Sequence, residues 1–235
     1  MAFGQAKQQE WPQKQDWIMP TILIADDHPL FREALKGALS HNHPELKIRE
    51  SANLEATLEQ LEMDDEIDLL LLDLHMPGSA DLYGLIRIRE DYPHVPVAVI
   101  SGTEDVNIMS RVIAYGALGF ISKSSSPDMI EAAIQQILDG DVWIPAHVQG
   151  KMKDIPEEET TIAQKLAALT PQQYRVLCYL RDGLLNKQIA WELDISEATV
   201  KAHITAIFKK LEVSNRTQAV LVASKIQLDN PTDSH

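Results

Sequence analysis

The stretch Leu69-Leu70-Leu71-Leu72-Asp73-Leu74-His75-Met76-Pro77-Gly78 decides the fold of this 235-residue chain. Its nearly all-apolar core, Asp68–Asp73, lacks the alternation of a half-exposed strand and is too short for a helix. It therefore reads as a strand buried on both faces, the mark of a parallel sheet covered by crossover helices.

Working outward, the expected alternation appears on both sides. Thr21–Ala25 is a β-branched, apolar strand, and Pro29 opens a helical stretch carrying Leu30, Phe31, Ala34, Leu35, Ala38 and Leu39. Leu46–Ser51 is a weaker strand, and Leu54, Leu58 and Leu61 mark a helix. Beyond the deciding stretch, Asp81–Tyr92, Asp105–Tyr115 and Pro127–Asp139 read as helices, with strands at Val97–Ser101 and Gly119–Lys123. Five strands alternating with five helices predict a doubly wound α/β domain with a parallel five-stranded sheet.

Residues 146–164 change character, with Lys-Met-Lys, Pro156 and the run Glu157–Glu159, and read as a charged, solvated linker with a helical end from Ile162. From Leu169 only helical periodicity remains: Pro171–Arg181, Lys187–Leu193, Glu197–Leu211 and Arg216–Ile226. Gly183 stops the first of these, and Asn186 and Ser196 are candidate N-caps for the next two. Four short helices with tight connections predict an all-α helix-turn-helix domain. The expected organisation is a flexible extension at 1–18, an α/β domain at 19–145, the linker, the helical domain at 165–228 and a tail at 229–235.

Composition agrees with two modest soluble domains: 45% apolar and 24% charged residues. No stretch approaches the ~18 apolar residues of a membrane span, and no secretory signal is expected at the N-terminus. The single cysteine, Cys178, excludes an internal disulfide framework and sits among apolar neighbours as a packed thiol. His41 and His43 lack partners for a metal site. The net charge of −14 is unevenly spread. Residues 165–228 carry nine Lys/Arg against five Asp/Glu, whereas residues 1–164 carry twelve against twenty-eight. An acidic part joined to a basic part implies different partners for the two.

Functional groups of a doubly wound sheet gather beyond the carboxyl ends of its strands. Here those ends carry Asp26 and Asp27, Asp73, Ser101 and Lys123. Three close carboxylates repel unless a cation sits among them, and an all-oxygen set favours Mg²⁺. A lysine and a hydroxyl on the same rim suit phosphoryl oxygens, so the set fits a carboxylate that accepts a phosphoryl group. Taken singly, each carboxylate is also what an ordinary loop cap looks like. No glycine-rich phosphate loop is present, which leaves nucleotide binding unsupported. The Leu74-His75 that follows Asp73 offers no second acid for a hydrolase.

At these residues the chain resembles the receiver domain of two-component response regulators, over residues 20–140. The resemblance rests on Asp26-Asp27, Asp73 of LLLLDLHMPG, Ser101 of VAVIS, and Phe120 and Lys123 of GALGFISK. It implies that Asp73 is the phosphoacceptor and that Asp27, Asp73 and the His75 backbone carbonyl ligate Mg²⁺, with Asp26 acting nearby through water. It further implies that Lys123 contacts the phosphoryl group and that Ser101 and Phe120 form a hydroxyl-and-aromatic switch. One departure is the spacing of Gly78 and Gly84, separated by Ser79–Tyr83 where such proteins commonly have two residues.

In the third C-terminal helix, Val200, Ile204, Ile207, Phe208 and Leu211 form one apolar stripe. Opposite lie Ala198, Ala202, Thr205 and Lys209, flanked by Lys201 and Lys210. Such a face is either a plain solvated surface or one smooth enough for the major groove, with lysines for phosphates. The run from Leu169 to Val220, with LTP, NKQIA and TVKAHI, resembles the LuxR-type helix-turn-helix. That implies DNA contacts at Lys201, Ala202 and Thr205, backbone proximity for Thr199 and Lys209, and a dimerisation helix bearing Ala219, Val220, Val222 and Ala223. His203 is expected to flank the groove.

Together the two resemblances describe a NarL/FixJ-type response regulator. What they imply is a cytoplasmic bacterial transcription factor, not an enzyme, loaded on Asp73 by a sensor histidine kinase and binding double-stranded DNA as a homodimer. A phosphorylation-independent regulator and a receiver serving as a signalling adaptor are the competing expectations.

Overall fold

The computed structural model describes residues 20–63, 66–79 and 81–225. The expected extension at 1–18 and tail at 229–235 lie outside them, as does Ile226. The first domain alternates β1 (Thr21–Ala25), α1 (Pro29–Asn42), β2 (Lys47–Ser51), α2 (Leu54–Met63), β3 (Leu69–Leu72), α3 (Tyr83–Asp91), β4 (Val97–Ser101), α4 (Val106–Ala114), β5 (Gly119–Ser122) and α5 (Pro127–Leu138). All strand pairs are parallel, in the order β2-β1-β3-β4-β5.

The pleat sorts each strand onto two faces. Ile22, Ile24, Leu69, Leu71, Ala98, Ile100 and Ile121 pack with α1 and α5. Leu23, Ala25, Leu70, Leu72, Val97, Val99 and Phe120 pack with α2, α3 and α4. The four leucines of β3 are wholly buried, each stabilising the sheet by about 2 kcal/mol. Gly119 sits in a tight place at the start of β5: a Cβ there would lie 2.6 Å from the end of the Ile137 side chain and 3.2 Å from the Trp143 carbonyl oxygen.

Two helix starts differ from the sequence expectation by two residues or more. Helix α3 begins at Tyr83, two residues late, because Asp81 adopts φ +57°, a left-handed conformation no helix contains. Helix α6 (Glu157–Ala167) begins five residues before Ile162. Its first turn holds Glu157, Glu158 and Glu159, and carboxylates are favoured at a helix N-terminus. Glu159 is moreover no solvated linker residue: it pairs with Arg111 at 2.6 Å and accepts a 2.9 Å hydrogen bond from the Tyr115 hydroxyl.

The helical bundle comprises α7 (Pro171–Arg181), α8 (Asn186–Glu192), α9 (Glu197–Leu211) and α10 (Arg216–Ser224). Thr170 and Gln173 cap α7 reciprocally, and Ser196 caps α9 through the Thr199 N–H at 3.0 Å. Asn186 is the first residue of α8 instead of its cap; the Leu185 N–H is satisfied by the Gln188 side chain at 2.7 Å. Gly183 ends the preceding segment at φ +83°. Val176, Leu177, Leu180, Ile189, Val200, Ile207 and Leu211 fill the bundle, with Ile204 and Phe208 packed against them. Ala219 and Ala223 of α10 are buried there too, which leaves Leu221 as its exposed apolar residue. Among the described residues no helix is long and apolar enough to cross a membrane.

Candidate functional site

Three ladder hydrogen bonds continue past the strand ends and fix the rim of the sheet. The Asp26 N–H donates to Ser51 (3.1 Å), that of Asp73 to Ala25 (2.8 Å) and that of Lys123 to Ser101 (2.8 Å). Asp26 and Asp73 are thereby held almost without solvent contact. The Lys123 ammonium lies 2.7 Å from Asp26 Oδ2 and 2.9 Å from Asp73 Oδ2. Asp27 completes the group at the more open edge, one-third exposed.

Sequence reasoning missed two members of this site. His28 places Nδ1 2.8 Å from Asp27 Oδ1 and 3.2 Å from Asp26 Oδ1, while its backbone N–H donates to Asp26 Oδ1 at 2.8 Å. Its position directly after two aspartates was the available signal. Phe31 lies under Lys123, with the ammonium 5.1 Å from the ring centre, a cation–π contact that helps aim the side chain. Nothing in the spacing announced it.

Potential ligand atoms of Asp26, Asp27, His28 and Asp73 all lie within 4.8 Å of one another. Three carboxylates against one ammonium leave two negative charges in a largely buried space. That donor set fits a hard divalent cation, which would neutralise the excess. Ser101 is buried on the same rim, its Oγ accepting from the Thr103 N–H at 3.2 Å. Phe120 is wholly enclosed in the core on the α2–α4 side, away from solvent. The His75 N–H approaches Asp73 Oδ1 at 3.4 Å and its side chain points to water.

On α9, Thr199, Lys201, Ala202, Thr205 and Lys209 are all exposed, and His203 is half-buried. Lys201 pairs with Glu197 at 3.0 Å, and the Thr205 hydroxyl donates to the Lys201 carbonyl. Lys210, expected at the flank of this face, is used internally: it donates to the Ala168 carbonyl and to Gln173, both at 2.8 Å. Burial pushes the Cys178 thiol up to about 11, in keeping with a packed thiol.

Two family models match the chain. Residues 22–135 match the response regulator receiver domain, and residues 167–223 match the bacterial regulatory proteins of the luxR family. The glycerol metabolism activator of Pseudomonas putida is 44% identical over 213 residues, covering 88% of this chain and 96% of the relative. The nitrate/nitrite response regulator protein NarL of Escherichia coli K12 is 31% identical, covering 86% and 93%. RcsB from Salmonella enterica serovar Typhimurium, solved on promoter P1flhDC with the phosphomimetic BeF₃⁻, shares the fold with a TM-score of 0.52. It is 24% identical and covers 88% of this chain and 99% of its own. The chain therefore belongs to the NarL/FixJ-type response regulators: it is a phosphorylation-linked, DNA-binding transcriptional regulator of a two-component system and not a catalytic enzyme.

Proposed function

We propose that Asp73 is the residue that accepts the phosphoryl group, from a phosphohistidine of a sensor kinase. An Asp73 oxygen attacks phosphorus, the P–N bond breaks, and the imidazole of the donor leaves. The observation carrying this reading is the Lys123 ammonium bridging two buried carboxylates at the carboxyl edge of the sheet. In the resting site Lys123 offsets the charge of Asp26 and Asp73. Once Asp73 carries the phosphoryl group, the same ammonium is within reach of the new oxygens. Asp27, Asp73 and the His75 carbonyl would hold Mg²⁺, with Asp26 through water. When bound, the ion supplies the positive charge that phosphoryl oxygens require on entering an acidic pocket.

Ser101, buried on the rim, is the hydroxyl that turns toward the loaded acceptor, and Phe120 is the core aromatic that repacks with it. The output is the exposed face of α9. Lys201, Ala202 and Thr205 meet the major groove, while Thr199 and Lys209 approach the DNA backbone. Double-stranded DNA is bound by a homodimer whose contact involves α10, where Leu221 is unburied. The regulator works in the cytoplasm, with the receiver at 19–145, the linker at 146–164 and the DNA-binding domain at 165–228.

Intact mass after incubation with acetyl phosphate tests the acceptor. The wild-type chain gains one phosphoryl group only with Mg²⁺, and Asp73→Asn gains none. A gain that survives Asp73→Asn overturns the assignment.

A further inference from the structure

Helix α9 and its cap fold the polar groups of Ser196, Glu197, Thr199, Lys201 and Thr205 back onto the helix itself. The Ser196 hydroxyl accepts from the Thr199 N–H at 3.0 Å and shares a 2.8 Å hydrogen bond with the Thr199 hydroxyl. Glu197 and Lys201, one turn apart, pair at 3.0 Å. The Thr205 hydroxyl donates to the Lys201 carbonyl at 3.0 Å. What stands outward between these groups is carbon, because Ala198, Ala202 and Thr205 are exposed. Residues at i, i+4 and i+7 lie on one side of a helix. With its hydroxyl turned onto the backbone, Thr205 presents its γ-methyl, and the exposed strip is a row of methyl groups. At about 1.5 Å per residue the strip runs about 10 Å along the helix, close to the length of about three base steps at about 3.4 Å.

Among the base edges in the major groove the apolar group is the thymine 5-methyl; the other edge groups are donors and acceptors. A protein methyl pressed on a polar edge removes its water and returns no hydrogen bond. Pressed on a thymine methyl, it buries two apolar surfaces against each other, which is favourable. We propose that Ala198, Ala202 and Thr205 read thymine methyls, so that each half-site this chain selects holds two or three neighbouring A·T pairs whose 5-methyl groups face α9. The proposal rests on α9 being the helix that enters the groove. Lys201 stands beside the strip, tied only to an exposed carboxylate, and its ammonium remains available to a base or a phosphate there.

The test uses the full-length chain with Mg²⁺ and acetyl phosphate to select duplexes from a random DNA pool. The enriched duplex is remade with deoxyuridine for thymidine, one position at a time, which deletes a methyl group and keeps every hydrogen bond of the pair. Burial of one such carbon corresponds to about fourfold in Kd, so each contacted thymine should lose about fourfold on replacement and two together more than about tenfold. Thr205→Ser deletes the protein's methyl and keeps its hydroxyl. In that variant the loss at one thymine position should fall below about twofold, while the other positions keep theirs. A half-site enriched without neighbouring A·T pairs overturns the proposal. So does wild-type affinity that survives uracil at every thymine of the half-site; if Lys201→Ala then changes the selected sequence, α9 still reads DNA, through its polar groups. If the pool yields no enriched sequence, or if Lys201→Ala and Thr205→Ser select the wild-type sequence with unchanged affinity, α9 is not the reading helix and the proposal falls with that reading.

Discussion

At Lys123 one ammonium faces two carboxylates that have almost no contact with water. Removing a partner from a buried charge cluster leaves the remaining charges uncompensated. Lys123→Ala should therefore lower stability by about 3 kcal/mol near pH 7 in chelator, and millimolar Mg²⁺ should recover part of the loss. Urea unfolding with and without Mg²⁺ measures both effects; a variant as stable as wild type in chelator would contradict the bridging role. The carboxylates, the lysine and the serine were legible in the sequence because each closes a strand, and strand ends of a parallel sheet share one edge. His28 and Phe31 were less so. Their roles depend on side-chain directions at the first turn of α1, which spacing alone does not give.

Among the elements, α3 is tightly constrained at its first turn. A Cβ on Gly84 would lie 2.0 Å from Ser79 Oγ and 2.9 Å from Ser79 Cβ, so a side chain there forces the segment or the helix to move. Gly84→Ala should cost about 2 kcal/mol by overpacking. Among the described residues the buried Ser79 hydroxyl has no hydrogen-bond partner, so Ser79→Gly in the same chain should restore much of the thermal midpoint by making room. A single variant that melts with wild type would refute the close packing. Strand positions were readable to within a residue or so, since burial on both faces gives a continuous apolar run at each of β1, β3 and β4. The start of α6 was not. Three glutamates look like solvated linker until a helix N-terminus and the Arg111–Tyr115 pair are placed beside them.

Across the whole molecule, the two architectures and their acidic and basic characters were written in the sequence. How the domains meet was not, since Tyr83 and Tyr174, whose rings stack, are 91 residues apart in sequence and obey no common period. The extra residues after Gly78 signalled a departure, and its physical content is the contact between Asp81 and Arg181. An acidic receiver carrying a separate basic bundle makes sense as a switch only if chemistry at one is felt at the other. The most direct test is the affinity of the full-length chain for duplexes it selects from a random DNA pool, measured before and after loading with Mg²⁺ and acetyl phosphate, beside Asp73→Asn. Loading should tighten binding by about tenfold in wild type and leave Asp73→Asn unchanged. Equal affinity of the loaded and unloaded wild-type chain would contradict the account.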